Sequence, residues 1–287
     1  RCLSRGLGDV YKRQGKSVTM RSILRLLPPK ASLSGSIIVD GENVIEMSQD
    51  QLSNMRGRDV SMIFQEPMVA FDPVYKVGYQ IAETVVRHLG TSFEDALARA
   101  KELFDLVQIP SAKNRLSAYP HELSGGMRQR AMIALALACS PKLLLADEPT
   151  TALDATVQIQ ILLLLRQLQR ELGMSIIFVT HDVGVATEIA DELAVMYAGK
   201  IVEIGDVADV IKKPAHPYTQ GLLSSTVNSE SKGKRLEVIG GSPPDMSKLF
   251  KGCAFSPRCK KVLDQCWHQK PAPESLSLIH ISEPTRQ

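Results

Sequence analysis

One stretch of this chain, residues 123–154, constrains its fold more than any other. It combines a Leu-Ser-Gly-Gly segment, a long apolar helix pattern, and a short run, Lys142–Ala146, that is apolar after its first residue. Such a run predicts a parallel strand buried on both faces. Asp147 and Glu148 follow it directly. Since ligands of open α/β sheets bind at the carboxyl ends of strands, the sequence predicts a functional site at these two acids.

Each part of this stretch has its own chemistry. An Asp at a strand end can hold Mg²⁺, as Asp147 would, and a Glu beside it can orient and deprotonate a water, as Glu148 would. The Ser124–Gly126 segment precedes a helix pattern, so its bare N–H groups and the positive end of the helix dipole suit a phosphate. Taken alone, Ser124 could equally be an ordinary N-cap followed by a glycine turn.

The order and spacing of these parts resemble the ABC-transporter ATPase family. The segment Ser124–Gly126 matches the signature motif, Leu-Leu-Leu-Ala-Asp-Glu matches Walker B, and Thr-Ala-Leu-Asp, ending at Asp154, matches the D-loop. The resemblance implies an α/β fold: an ABC-type P-loop NTPase core, a helical signature subdomain and a small C-terminal extension that contains cysteines.

A phosphate-binding helix start is predicted near the beginning of the chain. Gly15, Lys16 and Ser17 open a helix pattern that runs to about Leu27, where two prolines stop it. The segment resembles the tail of a Walker A loop, whose Lys reaches the β- and γ-phosphates and whose Ser contacts Mg²⁺. The complete pattern needs a glycine at position 10, where this sequence has Val10, and the nearby Gly8 is out of register.

Both ends of the sequence are predicted to derive from a DNA adaptor. Back-translation of residues 8–14 gives a DNA segment whose reverse complement encodes residues 276–282. We therefore expect residues 1–14 and 276–287 to be foreign to the natural protein and exclude them from fold reasoning. The Walker A mismatch lies inside the first of these segments and is interpreted as a lost segment.

The resemblance implies ATP and Mg²⁺ as ligands and assigns roles to individual residues. A lone Gln after a strand is usually a solvated loop residue, and a lone His is usually a structural hydrogen-bonding residue. Here Gln65 and His181 match the family's Q-loop and switch residues. The implied catalytic residues are Glu148, His181 and Gln65. The implied nucleotide-binding residues are Gly15, Lys16, Ser17, Val18, Ser124, Gly125, Gly126 and Asp154. The implied Mg²⁺ ligands are Ser17, Gln65 and Asp147.

Hydrophobic patterns predict the remaining elements. The predicted strands are Gly35–Asp40, Asp59–Phe64, a second buried strand at Ser175–Val179, and Leu193–Tyr197 with Lys200–Ile204 joined by a turn at Ala198-Gly199. The predicted helices are residues 77–88, residues 93–107, and a helix capped by Asp154 and closed by Gly173. The expected domains are an ATPase domain at 15–205, whose helical subdomain spans about 77–125, and an extension at 206–275.

The extension points to one branch of the family. Segments at 216–225 and 241–246, and the loop after Gln65, resemble the ATPases of oligopeptide and dipeptide importers. Cys253, Cys259 and Cys266 form a C-x₅-C-x₆-C array. In some relatives this region holds four cysteines and an iron–sulfur cluster, so the array is compatible with a cluster; three reduced thiols are the alternative. Cys139 is interpreted as a small buried hydrophobe.

Composition narrows the choice of partners. Residues 1–14 and 276–287 together hold five Lys or Arg residues and two Asp or Glu residues. The rest of the chain therefore has 29 basic and 29 acidic residues and lacks the excess of positive charge that favours binding to nucleic acid. No apolar run approaches the roughly 18 residues of a membrane span. The resemblance implies a second ATPase subunit in a homo- or heterodimer, two membrane permease subunits, a substrate-binding protein and a peripheral location at the cytoplasmic face of the inner membrane. The alternatives are an inactive fragment and a non-transport ABC ATPase.

Overall fold

The computed structural model of the 287-residue chain describes residues 14–150, 153–225, 239–246 and 250–274. Within these residues the strands form three small sheets. The strands are β1 (Ile38–Val39), β2 (Glu42–Asn43), β3 (Val60–Ile63), β4 (Leu143–Asp147), β5 (Ser175–Val179), β6 (Glu192–Tyr197) and β7 (Lys200–Asp206). The α-helices are α1 (Lys16–Ile23), α2 (Gln49–Met55), α3 (Pro67–Ala70), α4 (Val77–Leu89), α5 (Phe93–Leu106), α6 (Ala112–Arg115), α7 (Gly125–Ala136), α8 (Ala155–Leu172), α9 (Val183–Ile189), α10 (Val207–Lys212), α11 (Pro217–Ser224) and α12 (Gln265–His268).

The centre of the molecule is a parallel sheet of order β3–β4–β5. Because side chains alternate between the two faces of a strand, β4 contributes to two cores. Leu144 and Ala146 pack into the larger cluster with α7 and α8, whereas Leu145 packs on the other face with Met20 of α1. The predicted buried strand at Lys142–Ala146 is confirmed, with its first strand residue at Leu143.

The prediction of a second buried strand at Ser175–Val179 is half correct. The strand forms with those bounds, but its side chains are only partly covered and that of Ile177 is 41% exposed. The reason is topological: β5 pairs with β4 on one edge, and no described strand pairs with its other edge. An apolar run predicts burial only where both neighbours are in place.

The helices α4, α5 and α7 pack together on one side of the sheet. Their apolar stripes, which include Ile81, Leu103 and Met132, are fully buried in one cluster. The predicted helices at 77–88 and 93–107 are confirmed, and Gly90 in the left-handed region ends the first of them. The helix capped by Asp154 and closed by Gly173 is also confirmed.

Two early elements are shorter than predicted. The first helix ends at Ile23 and not at Leu27, because Arg25 adopts a positive φ of 50° and its guanidinium binds the carbonyl of Met47. The strand expected over Gly35–Asp40 is reduced to β1, which forms a two-residue hairpin with β2.

The hairpin of β6 and β7 anchors the C-terminal region. The predicted turn at Ala198 and Gly199 is confirmed, and both residues have a positive φ. Tyr197 packs against Tyr218 of α11 and Phe255, with ring centroids 4.5 and 5.1 Å apart. This aromatic cluster joins the hairpin to residues 250–274. In the part of the chain that the structure describes, no helix has the length and apolar character needed to cross a bilayer.

Candidate active site

The C-terminal ends of three parallel strands, and the residues that follow them, lie at one edge of the sheet. Asp147 is the last residue of β4 and Glu148 follows it. Gln65 lies two residues beyond β3, and His181 lies two residues beyond β5. Gln65 Nε2 donates a hydrogen bond of 3.0 Å to Glu148 Oε2, and His181 Nδ1 lies 3.4 Å from Glu148 Oε1. The three residues predicted to be catalytic are thus in direct contact.

The start of α1 supplies the other half of the site. Gly15 precedes the helix with a φ of +93°, a conformation that glycine adopts without strain. Ser17 Oγ donates a hydrogen bond of 3.0 Å to Asp147 Oδ1. Lys16 lies close enough to Asp147 and Glu148 for both carboxylates to act on its charge. Val18 is on the first turn of α1 with its side chain exposed.

Glu148 is held in an unusual backbone conformation. It is a non-glycine residue with a φ of +49°, and its N–H donates to the carbonyl of Val179 at 3.0 Å. The residue is only 9% exposed. The β4–β5 pairing and the Gln65 contact therefore fix the direction of the carboxylate. Strained residues of this kind concentrate at functional sites.

The electrostatics of the site favour a cation together with an anion. Burial raises the pKa of the Asp147 carboxyl; the Ser17 hydrogen bond and the charges of Arg21 and Lys16 lower this pKa, whereas Glu148 raises it. Burial lowers the pKa of the Lys16 amine, and the charges of Glu148 and Asp147 partly offset this effect by raising the pKa. A divalent cation beside Asp147 and a phosphate beside Lys16 would offset these burial costs. Hard oxygen donors, such as the carboxylate of Asp147 and the hydroxyl of Ser17, fit Mg²⁺.

A second group of predicted residues lies at the start of two helices. Ser124 Oγ caps α7 by accepting a hydrogen bond from the Met127 N–H, and Asp154 caps α8 by accepting one of 2.9 Å from the Val157 N–H. A Cβ at Gly126 would come within 3.2 Å of Val157 Cγ1, so glycine there allows the two helix starts to approach. Ser124 and Gly125 are exposed. These caps are local contacts, and their exposure leaves them accessible to another molecule.

The three C-terminal cysteines are free thiols and lie near one another along a short loop. The Cys253 N–H donates to the Cys266 carbonyl at 2.8 Å, and Cys259 Sγ accepts a hydrogen bond from the Lys261 N–H. Among the described residues, no three His, Cys, Asp or Glu side chains are arranged to hold a metal ion. The structure therefore gives no ligand set for the predicted cluster. Cys139 is buried, as predicted.

Two features escaped the sequence prediction, one in the site and one on the surface. Arg21 lies one helical turn after Ser17 and acts on the charge of Asp147; the i, i+4 spacing could have indicated it. Tyr75, Tyr79 and Phe93 form an exposed row of rings with centroids 5.8 and 5.4 Å apart. The sequence carries little indication that these rings form a row. Tyr75 precedes the helix that carries Tyr79, so helical spacing does not relate the two positions.

Comparison with known families gives two matches. Residues 14–151 match the family described as ABC transporter. Residues 202–266 match the family described as oligopeptide/dipeptide transporter, C-terminal region. The first match contains both groups of site residues up to Glu148, and the second contains most of the hairpin strand β7 and the cysteine loop.

Individual relatives and solved structures agree with these matches. The oligopeptide transport ATP-binding protein OppD of Bacillus subtilis is 47% identical over 269 residues, covering 93% of this chain and 75% of the relative. The protein of the same name from Salmonella typhimurium is 44% identical, covering 90% and 77%. A dimeric post-hydrolysis structure of the ATP-binding cassette MJ0796 with ADP and Pi superposes with a TM-score of 0.60 at 27% identity, covering 68% of this chain and 81% of that one.

Proposed function

Because this chain belongs to the family of ABC transporter ATP-binding proteins, we propose that it is the ATP-hydrolysing subunit of an importer for dipeptides or oligopeptides. The observation that carries the chemical part is the contact of Glu148 with both Gln65 and His181 at the carboxyl ends of three parallel strands. The match of residues 202–266 to the peptide-transporter C-terminal region supports the peptide class of cargo.

We infer that Lys16 and Ser17 bind the phosphates and the metal ion of Mg-ATP. Lys16 would neutralise phosphate charge, with the N–H groups at the start of α1 donating beside it. Ser17 and Asp147 already share a hydrogen bond, so their oxygens would need only a small rearrangement to hold Mg²⁺, with Gln65 as a further ligand. Bound Mg²⁺ would supply charge stabilisation to the transferring phosphoryl group.

Glu148 is proposed to be the general base. Its carboxylate would accept a proton from the water that attacks the γ-phosphate, while Gln65 and His181 hold that carboxylate in place through their contacts with its two oxygens. Rigid positioning of the acceptor supports this role, because proton transfer requires a defined distance between base and water. His181 would contact the γ-phosphate with the part of its ring that is exposed.

A second ATPase subunit is proposed to complete each site. Ser124, Gly125 and Gly126 are at an exposed helix start, which suits the phosphates of an ATP held by another copy. Asp154 lies beside them and would help to position the water of that other site. Two copies, or this chain and a sister subunit, would then bind two ATP molecules head to tail.

The shared site can be tested by mixing two inactive subunits. We use a repaired chain, in which residues 1–14 are replaced by the aligned segment of the Bacillus subtilis relative. Ser124→Arg and Lys16→Ala should each lose hydrolysis. A 1:1 mixture should regain up to about one quarter of the wild-type rate, because half of the pairs are mixed and each contains one intact site. Hydrolysis that persists in strictly monomeric protein would contradict the shared site and, with it, the proposed role of Ser124.

Membrane partners are proposed to bind near the loop after Gln65. The row of Tyr75, Tyr79 and Phe93 is an exposed apolar patch next to that loop, and such patches mark protein–protein contacts. A permease pair docked there would sense movement of the Gln65 loop. The chain would then lie peripherally at the cytoplasmic face of the inner membrane, with a substrate-binding protein delivering peptide from the other side. No role in nucleic-acid binding is proposed.

An iron–sulfur cluster in the extension is a separate proposal. Cys253, Cys259 and Cys266 offer three thiolates, one fewer than a cluster normally takes. We expect a chain extended with the aligned C-terminal segment of a relative to gain broad visible absorption after anaerobic reconstitution with iron and sulfide. Cys259→Ser should remove that absorption, whereas Cys139→Ser, at the buried free thiol, should not. An extended chain that stays colourless would leave the three cysteines as ordinary thiols.

A further inference from the structure

The turn between β6 and β7 lies directly beside the start of α1. Its Gly199 N–H donates a hydrogen bond of 3.1 Å to the carbonyl of Gln14, the residue before Gly15. A Cβ at Gly15 would come within 3.5 Å of Gly199 Cα and 3.8 Å of Met196 Sδ. The turn therefore holds the backbone that leads into the proposed phosphate-binding residues.

The geometry of this turn is well defined and does not depend on the foreign side chains before Gly15. The pairing of Tyr197 with Lys200 closes it, and Ala198 and Gly199 both have the positive φ of a two-residue hairpin turn. The hydrogen bond to residue 14 joins backbone atoms, so the side chain at that position does not take part in it. A repaired chain can therefore form the same contact.

The same glycine is in contact with the C-terminal extension. A Cβ at Gly199 would come within 3.2 Å of Met246 Cε, so the end of the methionine side chain lies against the turn. Met246 is 43% exposed, which shows that it is not a core residue. Gly199 thus touches both the start of α1 and the extension, and the side chain that reaches it from the extension can be changed without opening a core.

Arg258 fixes one end of residues 239–246, the segment that reaches the turn. Its guanidinium donates hydrogen bonds of 3.1 and 2.9 Å to the carbonyls of Ile239 and Gly240, and one of 3.3 Å to the Tyr197 hydroxyl. Tyr197 is the last residue of β6 and stands at the beginning of the turn. One side chain of the extension therefore ties the segment to the strand that forms the turn.

We propose that Gly199 is a positioning residue for the phosphate-binding start of α1 and that Met246 braces it, so that the C-terminal extension sets the affinity of the site for Mg-ATP. This role rests on the proposed function, since it requires that Lys16 and Ser17 bind the nucleotide. An array of N–H groups binds an anion tightly when its backbone is already held in the bound arrangement. Because coupling between two sites is reciprocal, bound nucleotide should in turn stabilise the contacts of the turn.

The first test removes the brace in the repaired chain. Met246→Ala should raise the dissociation constant of Mg-ATP, measured by calorimetry, at least about fivefold, the lower end of the usual coupling between two sites. The turnover number should change less than about twofold while KM rises, because the groups around Glu148 are untouched. Met246→Leu keeps an apolar side chain of similar size against the turn and should retain the original affinity.

Matched variants separate the brace from a general effect of the extension. Leu263→Ala removes an exposed apolar side chain of the extension outside residues 239–246 and should leave the dissociation constant unchanged. Arg258→Gln should weaken Mg-ATP binding, since it releases the segment that carries Met246. Combined with Met246→Ala, it should add less than its separate effect, because both changes act through one turn.

The second test uses the repaired chain without any further variant. Hydrogen exchange at the Gly199 amide should slow at least about tenfold when Mg-ATP saturates the site, because the bond from this N–H to the carbonyl of residue 14 opens less often. Adenosine at the same concentration lacks the phosphates and should not slow the exchange. A turn that only supports the fold would show the same exchange rate with and without the nucleotide.

Different outcomes would overturn the positioning role and the proposed function. Equal affinity of the repaired chain and its Met246→Ala variant for Mg-ATP would exclude the brace. Unchanged exchange at the Gly199 amide under saturating Mg-ATP would exclude the positioning role. A repaired chain that binds no Mg-ATP at all would contradict the proposed function itself. Far-ultraviolet circular dichroism checks that the variants fold, and the exchange measurement decides the matter if Met246→Ala does not.

Discussion

Replacement of Glu148 by glutamine is expected to lower the rate of ATP hydrolysis by the repaired chain at least about 100-fold, the effect of losing a general base. Glutamine has nearly the shape of glutamate, and its amide oxygen can still accept the hydrogen bond from Gln65 Nε2. It cannot take a proton from water at neutral pH. Binding of Mg-ATP should therefore persist while turnover is lost.

Steady-state phosphate release and calorimetric titration with Mg-ATP measure the two quantities separately. Glu83→Gln is the matched control, since it removes an exposed carboxylate from α4 without touching the site. We expect near wild-type hydrolysis from the control. Hydrolysis by Glu148→Gln at a rate close to that of the control would show that another group accepts the proton.

The chain with its present residues 1–14 is expected to bind Mg-ATP at least about 100-fold more weakly than the repaired chain. A phosphate cradle requires backbone N–H groups that wrap the anion, which glycines permit by adopting positive φ. The sequence supplies Gly15 but has Val10 where the first glycine of the pattern belongs. Gln14 is buried and donates a hydrogen bond of 3.1 Å to the Tyr218 hydroxyl. Lys16 alone supplies attraction without the enclosing N–H array.

Titration of both chains under identical salt conditions is the measurement. Lys16→Ala in the repaired chain is the reference for a site without its phosphate-binding lysine. Similar dissociation constants for the two chains would contradict the adaptor interpretation of residues 1–14 or its consequence for the loop. Residues 1–13 and 275–287 lie outside the described residues, so that interpretation stays a prediction.

The arrangement of the site could be predicted from the sequence to a large extent. The apolar runs predicted strands that end at Phe64, Ala146 and Val179, each within one residue of the observed end, and the carboxyl ends of parallel strands meet at one edge of a sheet. Gln65 and His181 each stand within two residues of such an end, so their meeting at Glu148 follows from the same pattern. The helix caps formed by Ser124 and Asp154 could also be predicted, because each residue precedes a helix pattern.

Other features could not be predicted, because they depend on distant contacts. The positive φ of Glu148 arises where its N–H pairs with Val179, which no local pattern encodes. The early end of α1 depends on the bond of Arg25 to Met47, more than 20 residues away. The exposure of Ile177 depends on which strands stand beside β5. A hydrophobic run predicts that a strand favours a buried position. It carries no information on whether a neighbouring strand is present to bury it.

The left-handed backbone conformation of Glu148 affects which variants a laboratory selection for stability would favour. A non-glycine residue held there costs about 1–3 kcal/mol of folding stability, whereas glycine or asparagine tolerates it with less strain. A selection for heat resistance alone would favour those residues at position 148 and discard the carboxylate. If Glu148 is the general base, as proposed, such stabilised variants would lack ATP hydrolysis. A selection for stable variants would therefore need a parallel measurement of turnover.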